Sequence, residues 1–149
     1  MSVNVTADPV SLTDTVQLDL PASYKYLNMI APCITEMLSR VEDIQDRDSL
    51  IYGMQLAVQE VCTNIVDHAY GNQPGHRLAV VITLDEAHRR VVAEFRDSGA
   101  SFDPSSVHAP DLVEGQVRGY GLFLIRQLVD DFGYTPLAGG NLWRLEKRW

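Results

Sequence analysis

Three short stretches of this chain carry side chains suited to chemistry. The first holds a carboxylate and a carboxamide one helical turn apart, Glu60 and Asn64, within Leu56-Ala-Val-Gln-Glu-Val-Cys-Thr-Asn-Ile-Val-Asp-His-Ala-Tyr70. At about 100° per residue the two project from one flank of a helix, beside its apolar stripe. A carboxylate there can take a proton and an amide oxygen can ligate a hard cation, so the pair suits chemistry on a metal-bound phosphate. A solvated polar flank would have the same pattern. Asp67 extends the flank, whereas His68 lies nearer the stripe and reads as a partly buried structural histidine.

The second stretch is Asp97-Ser-Gly99, directly after an apolar run. An Asp at a strand end can accept from an exocyclic amine, and Gly99 would let a ring approach the backbone; an ordinary Asp-x-Gly turn looks the same. The third is Gly115-Gln-Val-Arg-Gly-Tyr-Gly121, leading into a helix. Free backbone N–H groups and the positive dipole end suit such a site to an anion, and Arg118 could add a charged contact; the glycines could equally serve only a tight turn.

The elements that position these stretches follow from periodicity. Val16-Gln-Leu-Asp-Leu20 alternates as a half-buried strand does, and Pro21 ends it. Ser23 caps a first helix with apolar positions Tyr26, Leu27, Ile30, Ile34, Met37, Leu38 and Val41, in which Pro32 predicts a kink or a local break. The organising helix runs from Asp48 to Tyr70 and stops at the breakers Gly71-Asn-Gln-Pro-Gly75. Residues 78–84 and 90–96 read as a hairpin, and 104–118 as a long, lid-like loop. A third helix over 122–129 precedes two last strands around Ala138-Gly-Gly-Asn141. Strands and helices are segregated, which predicts an α+β two-layer sandwich: a mostly antiparallel sheet with three helices on one face. A loose arm over residues 1–14 would precede one domain over 15–149.

Composition narrows the partners. With 12 Lys and Arg against 20 Asp and Glu, the net charge is −8, which argues against general affinity for nucleic acid or an anionic membrane. No apolar run approaches the roughly 18 residues of a membrane span and no targeting segment is evident, so a cytoplasmic location is expected. Cys33 and Cys62 lack metal or disulfide spacing and read as buried free thiols.

The order Glu60-x-x-x-Asn64, then Asp97-x-Gly99-x-x-Phe102-Asp103, then Arg118-Gly-Tyr-Gly-Leu-Phe-Leu-Ile125 resembles the anti-sigma factor serine/threonine kinases. These belong to the Bergerat-fold ATPase superfamily shared by gyrase, Hsp90, histidine kinases and MutL. The resemblance spans residues 16 to 148. It implies ATP and Mg²⁺ as cofactors, with Glu60 as general base, Asn64 as the Mg²⁺ ligand and Asp97 receiving the adenine amine beside Gly99. Arg118, Gly119, Tyr120, Gly121 and Leu122 would meet the nucleotide as the lid closes about Gly115, and Asp67 would join the ATP-binding set. The implied partners are an anti-sigma antagonist protein, phosphorylated on Ser or Thr, and a sigma factor, and a homodimer is expected by analogy. The same residues also suit a non-catalytic ATP- or ADP-binding switch that regulates a protein partner, or, least well, an ATP hydrolase in which Glu60 would activate water.

Overall fold

The computed structural model describes residues 13–102 and 120–149. Its strands are β1 (Thr13–Pro21), β2 (Arg77–Asp85), β3 (Arg90–Asp97), β4 (Asp131–Leu137) and β5 (Gly140–Arg148). They form one antiparallel sheet in the order β1-β2-β3-β5-β4. The helices are α1 (Tyr24–Leu27), α2 (Ile30–Ser39), α3 (Arg47–Asn64) and α4 (Tyr120–Leu128). Helix α3 packs between α2 and α4. This is the two-layer α+β sandwich that the sequence predicts.

Alternation along each strand builds the core. Leu78, Val80, Ile82 and Leu84 of β2, Val91, Ala93 and Phe95 of β3, and Trp143 and Leu145 of β5 are buried together with Ile30, Ile34 and Leu38 of α2 and Met54, Val58 and Val61 of α3. Each large side chain so buried contributes about 1.5–3 kcal/mol. Several residues of opposite parity on β3 and β5 carry charge: Glu146 is buried yet held by Arg144 at 2.7 Å, Arg148 at 2.9 Å and Arg90 at 3.6 Å.

The first helix is two helices. Ser23 caps α1 as expected, its hydroxyl accepting from Lys25 N–H, and of the kink or break expected near Pro32 the chain takes the break, at Asn28–Met29. In one continuous helix the Pro32 ring would meet the Asn28 carbonyl four residues back; in the first turn of α2 its missing N–H costs nothing.

The organising helix also departs from its predicted course. After Asn64 it widens into a π turn over Ile65–Ala69, closed by Tyr70 N–H donating to the Ile65 carbonyl at 2.9 Å. A wider turn advances each residue by less than 100°, so the phase slips. The outcome is that His68 is exposed while Tyr70 is buried, contrary to the buried-histidine expectation. The breakers then reverse the chain, with Gly71, Asn72 and Gly75 at positive φ. Of the two thiols expected to be buried, Cys62 is and Cys33 is only partly covered. The loose arm over 1–14 lies outside the described residues except at Thr13 and Asp14, which belong to β1, and the loop 104–118 lies outside them altogether.

Candidate nucleotide site

Glu60 and Asn64 emerge half-buried on the flank of α3 that faces α4. The first turn of α4 rests directly on them: a Cβ placed on Gly121 would lie 2.8 Å from Glu60 Oε2 and 3.6 Å from Asn64 Nδ2. Gly121 therefore has a steric role, because only a residue without a side chain lets α4 approach the carboxylate so closely. The Asn64 Nδ2 atom is buried with no hydrogen-bond partner among the described residues. A buried polar atom left unpaired costs about 1–3 kcal/mol, and such groups mark places where an ion or ligand completes the structure. Rotating the amide by 180° puts its oxygen at the same place, so the residue fits a hard cation.

The π turn joins this flank to the Asp97 loop. The Ala69 carbonyl at its end accepts from Ala100 N–H at 2.8 Å, and a Cβ on Gly99 would lie 2.3 Å from that same oxygen. The space that Gly99 frees is thus filled by the helix end. Ser98 is fixed from the other side, its N–H donating to the Tyr70 hydroxyl at 2.8 Å.

Asp97 is buried at the end of β3 and engaged on both oxygens. Oδ1 accepts from Gly99 N–H at 2.9 Å and Asn141 Nδ2 at 2.7 Å, and Oδ2 accepts from the Trp143 indole N–H at 2.9 Å. Asn141 is held in turn by the Tyr134 hydroxyl, which also receives Phe102 N–H at 3.1 Å. Gly140 lets β5 approach, since a Cβ there would lie 2.0 Å from the Asp97 carbonyl oxygen. Sequence reading missed Tyr134, Gly140, Asn141 and Trp143. The available signal was the last hairpin, whose Asn141 falls opposite Asp97 once β3 and β5 pair.

The remaining expected residues divide. Asp67 turns to α1, where the Tyr24 hydroxyl donates to it; burial, and then this bond, push the Tyr24 phenol up to about 12. Leu122 is a core residue, 4% exposed. Tyr120 opens α4, and Gly115, Arg118 and Gly119 lie outside the described residues. An apolar groove of about 600 Å³ between β1 and α2 shares no residue with this site.

A helix bearing Glu60 and Asn64, laid on an antiparallel sheet whose strand end presents Asp97, defines a class. Residues 20–147 match the family model described as the histidine kinase-like ATPase domain, and the chain belongs to that family. Within it, the chain is a protein kinase of the serine/threonine type. It is 32% identical over 139 residues to the serine/threonine-protein kinase BtrW of Bordetella bronchiseptica, covering 88% of this chain and 90% of that one. It is also 32% identical over 130 residues to the serine-protein kinase RsbW of Bacillus cereus, covering 79% and 75%.

Solved structures agree on the fold. The crystal structure of the RsbU and RsbW domains of a Mycobacterium tuberculosis protein superposes with a TM-score of 0.61 at 20% identity, over 91% of this chain and 32% of that one. The histidine kinase domain of a blue-light activated histidine kinase from Erythrobacter litoralis gives 0.55 at 17% identity, over 87% and 61%.

Proposed function

We propose that this kinase acts as an anti-sigma factor, transferring the γ-phosphoryl group of ATP to a serine or threonine of a small anti-sigma antagonist protein. The observation that carries the reading is the juxtaposition of Glu60 and Asn64 beneath Gly121, a carboxylate and an amide whose nitrogen has no partner among the described residues, at the first turn of a helix. That turn offers N–H groups and a positive dipole end to phosphate. Asp97 receives the adenine amine on the acceptor position that its three donors among the described residues leave open.

In the transfer, the acceptor hydroxyl oxygen bonds to the γ-phosphorus while the bond to the β,γ-bridging oxygen breaks and ADP leaves. The hydroxyl proton passes to the Glu60 carboxylate. Mg²⁺ held by the Asn64 amide oxygen would supply charge neutralisation on the phosphates. The protein contributes mainly position and charge, since phosphoryl transfer asks little covalent chemistry of it.

The test pairs calorimetry with transfer. ATP should bind the wild type in a Mg²⁺-dependent manner, and Asp97→Asn should weaken that binding by about tenfold or more while leaving it measurable. Glu60→Gln should bind ATP yet fail to label the antagonist protein from γ-labelled ATP. Transfer by Glu60→Gln at the wild-type rate would remove Glu60 as the base.

A further inference from the structure

We propose that Trp143 is a positioning residue which, acting through Asp97, sets the selectivity of the nucleotide site for a 6-amino over a 6-oxo purine. The inference rests on the nucleotide reading above and goes beyond it, because it concerns how the carboxylate is aimed.

An ionised carboxylate has about four acceptor positions. Donors of the described residues fill three: both on Oδ1, by Gly99 N–H and Asn141 Nδ2, and one on Oδ2, by the Trp143 indole. Among the described residues no donor takes the fourth position, which lies on the oxygen that Trp143 holds. Trp143 has a single donor and is 1% exposed, so its N–H is committed to Asp97. The indole reaches Asp97 diagonally across the ladder, since Trp143 itself stands opposite Phe95 while Asn141 stands opposite Asp97.

The ring cannot easily turn away. Tyr134 packs edge-on against it at 4.6 Å between centroids, Phe102 at 5.6 Å and Phe132 at 6.4 Å. A clamped donor on one side of Oδ2 fixes the direction of the remaining lone pair, which is preorganisation of a single acceptor. A purine amine satisfies that acceptor. A purine carbonyl opposes oxygen to oxygen and leaves a buried acceptor unpaired, the condition under which polar sites discriminate strongly. With the indole N–H removed, Oδ2 gains a second open position that water can fill, and the carboxylate is free to rotate about an axis set only by Oδ1.

The experiment measures ATP and ITP binding by calorimetry on the wild type, Trp143→Phe, Asp97→Asn and the double variant. The phenyl ring keeps most of the packing and removes the donor. Trp143→Phe should weaken ATP about tenfold, leave ITP nearly unchanged, and so lower the ATP:ITP ratio about tenfold. In the Asp97→Asn background the same change should alter ATP affinity less than twofold. Equal losses for ATP and ITP, or an undiminished loss in the Asp97→Asn background, would mean that Trp143 matters only as packing and would overturn the proposal.

A second readout covers failure of Trp143→Phe to fold. The chain has two Trp, so Trp149→Phe leaves Trp143 as the sole indole. Saturating ATP should shift its emission, because the adenine amine and the indole share Oδ2, and saturating ITP should not. Identical responses to both nucleotides refute the assignment. A wild type that binds neither nucleotide brings down the nucleotide reading together with this inference, and one that binds both alike refutes this inference and leaves nucleotide binding standing. A discriminating wild type whose ratio survives Trp143→Phe sinks this inference alone.

Discussion

Gly121→Ala separates folding from catalysis. The new Cβ would stand 2.8 Å from Glu60 Oε2, where ordinary contact begins near 3.4 Å, so one of the two must yield by about 0.6 Å. The atom met is the tip of a flexible side chain, and Glu60 yields rather than the helix. Moving the carboxylate off its rotamer costs about 0.5–1.5 kcal/mol. Replacing a helical Gly by Ala returns about 0.5–1 kcal/mol. The two nearly offset, and at about 2–4 °C per kcal/mol the melting temperature should stay within a few degrees of wild type. Asn64 Nδ2, at 3.6 Å, is left in ordinary contact, so ATP affinity should change little. Transfer should slow on the order of 10- to 100-fold, the loss expected when a catalytic group is displaced by a sizeable fraction of an ångström. Thermal melting, ATP calorimetry and single-turnover labelling of the acceptor protein check the three parts. A variant that folds, binds ATP and transfers within twofold of the wild-type rate would falsify the assignment of Glu60.

Gly99→Ala should behave in the opposite manner: its Cβ would meet the Ala69 carbonyl at 2.3 Å, backbone against backbone, and unfolding by denaturant should show a loss of about 1–3 kcal/mol or more alongside weakened ATP binding. Acid should act on the charged face of the sheet. Hydrogen bonds from Arg144, opposed by burial and aided by Arg148, hold Glu146 below its ordinary 4.5. A depressed folded value stabilises the protein above the unfolded one and is lost as pH falls through the folded one, so the gap between wild type and Glu146→Gln should close below pH 4.5. For Asp85, burial raises the carboxyl, but the His88 and Arg90 bonds outweigh it and keep it below 3.8; its contribution is therefore present above 3.8 and lost as pH falls below that. Denaturant unfolding at pH 7, 5 and 3.5 checks both, and a pH-independent gap for Glu146→Gln would refute the first. Burial pushes the Cys62 thiol up to about 12, so a thiol reagent should label Cys33 in the native protein and Cys62 only after denaturation.

What the sequence determined by itself was periodicity and order. The alternation of Leu78 to Leu84 named a strand face, the steps from Met54 to Ile65 named a helix face, and the pair Glu60 and Asn64 fell on one flank because both lie on a single regular helix. Such readings succeed where the outcome depends on residues within a turn or two. The slip at Ile65–Ala69 was not readable in this way, since a π turn is fixed by what the helix end meets, here Gly99 and Ala100, and it carried His68 out to solvent. Tertiary structure also decided the partners. Asp67 finds Tyr24 across 43 residues, and Asp97 finds Asn141 and Trp143 across 44 and 46. Those contacts follow from strand register and helix docking, which a local pattern does not encode. A shift of one residue in β5 would have turned Asn141 and Trp143 to the other face and left Asp97 buried without two of its three donors.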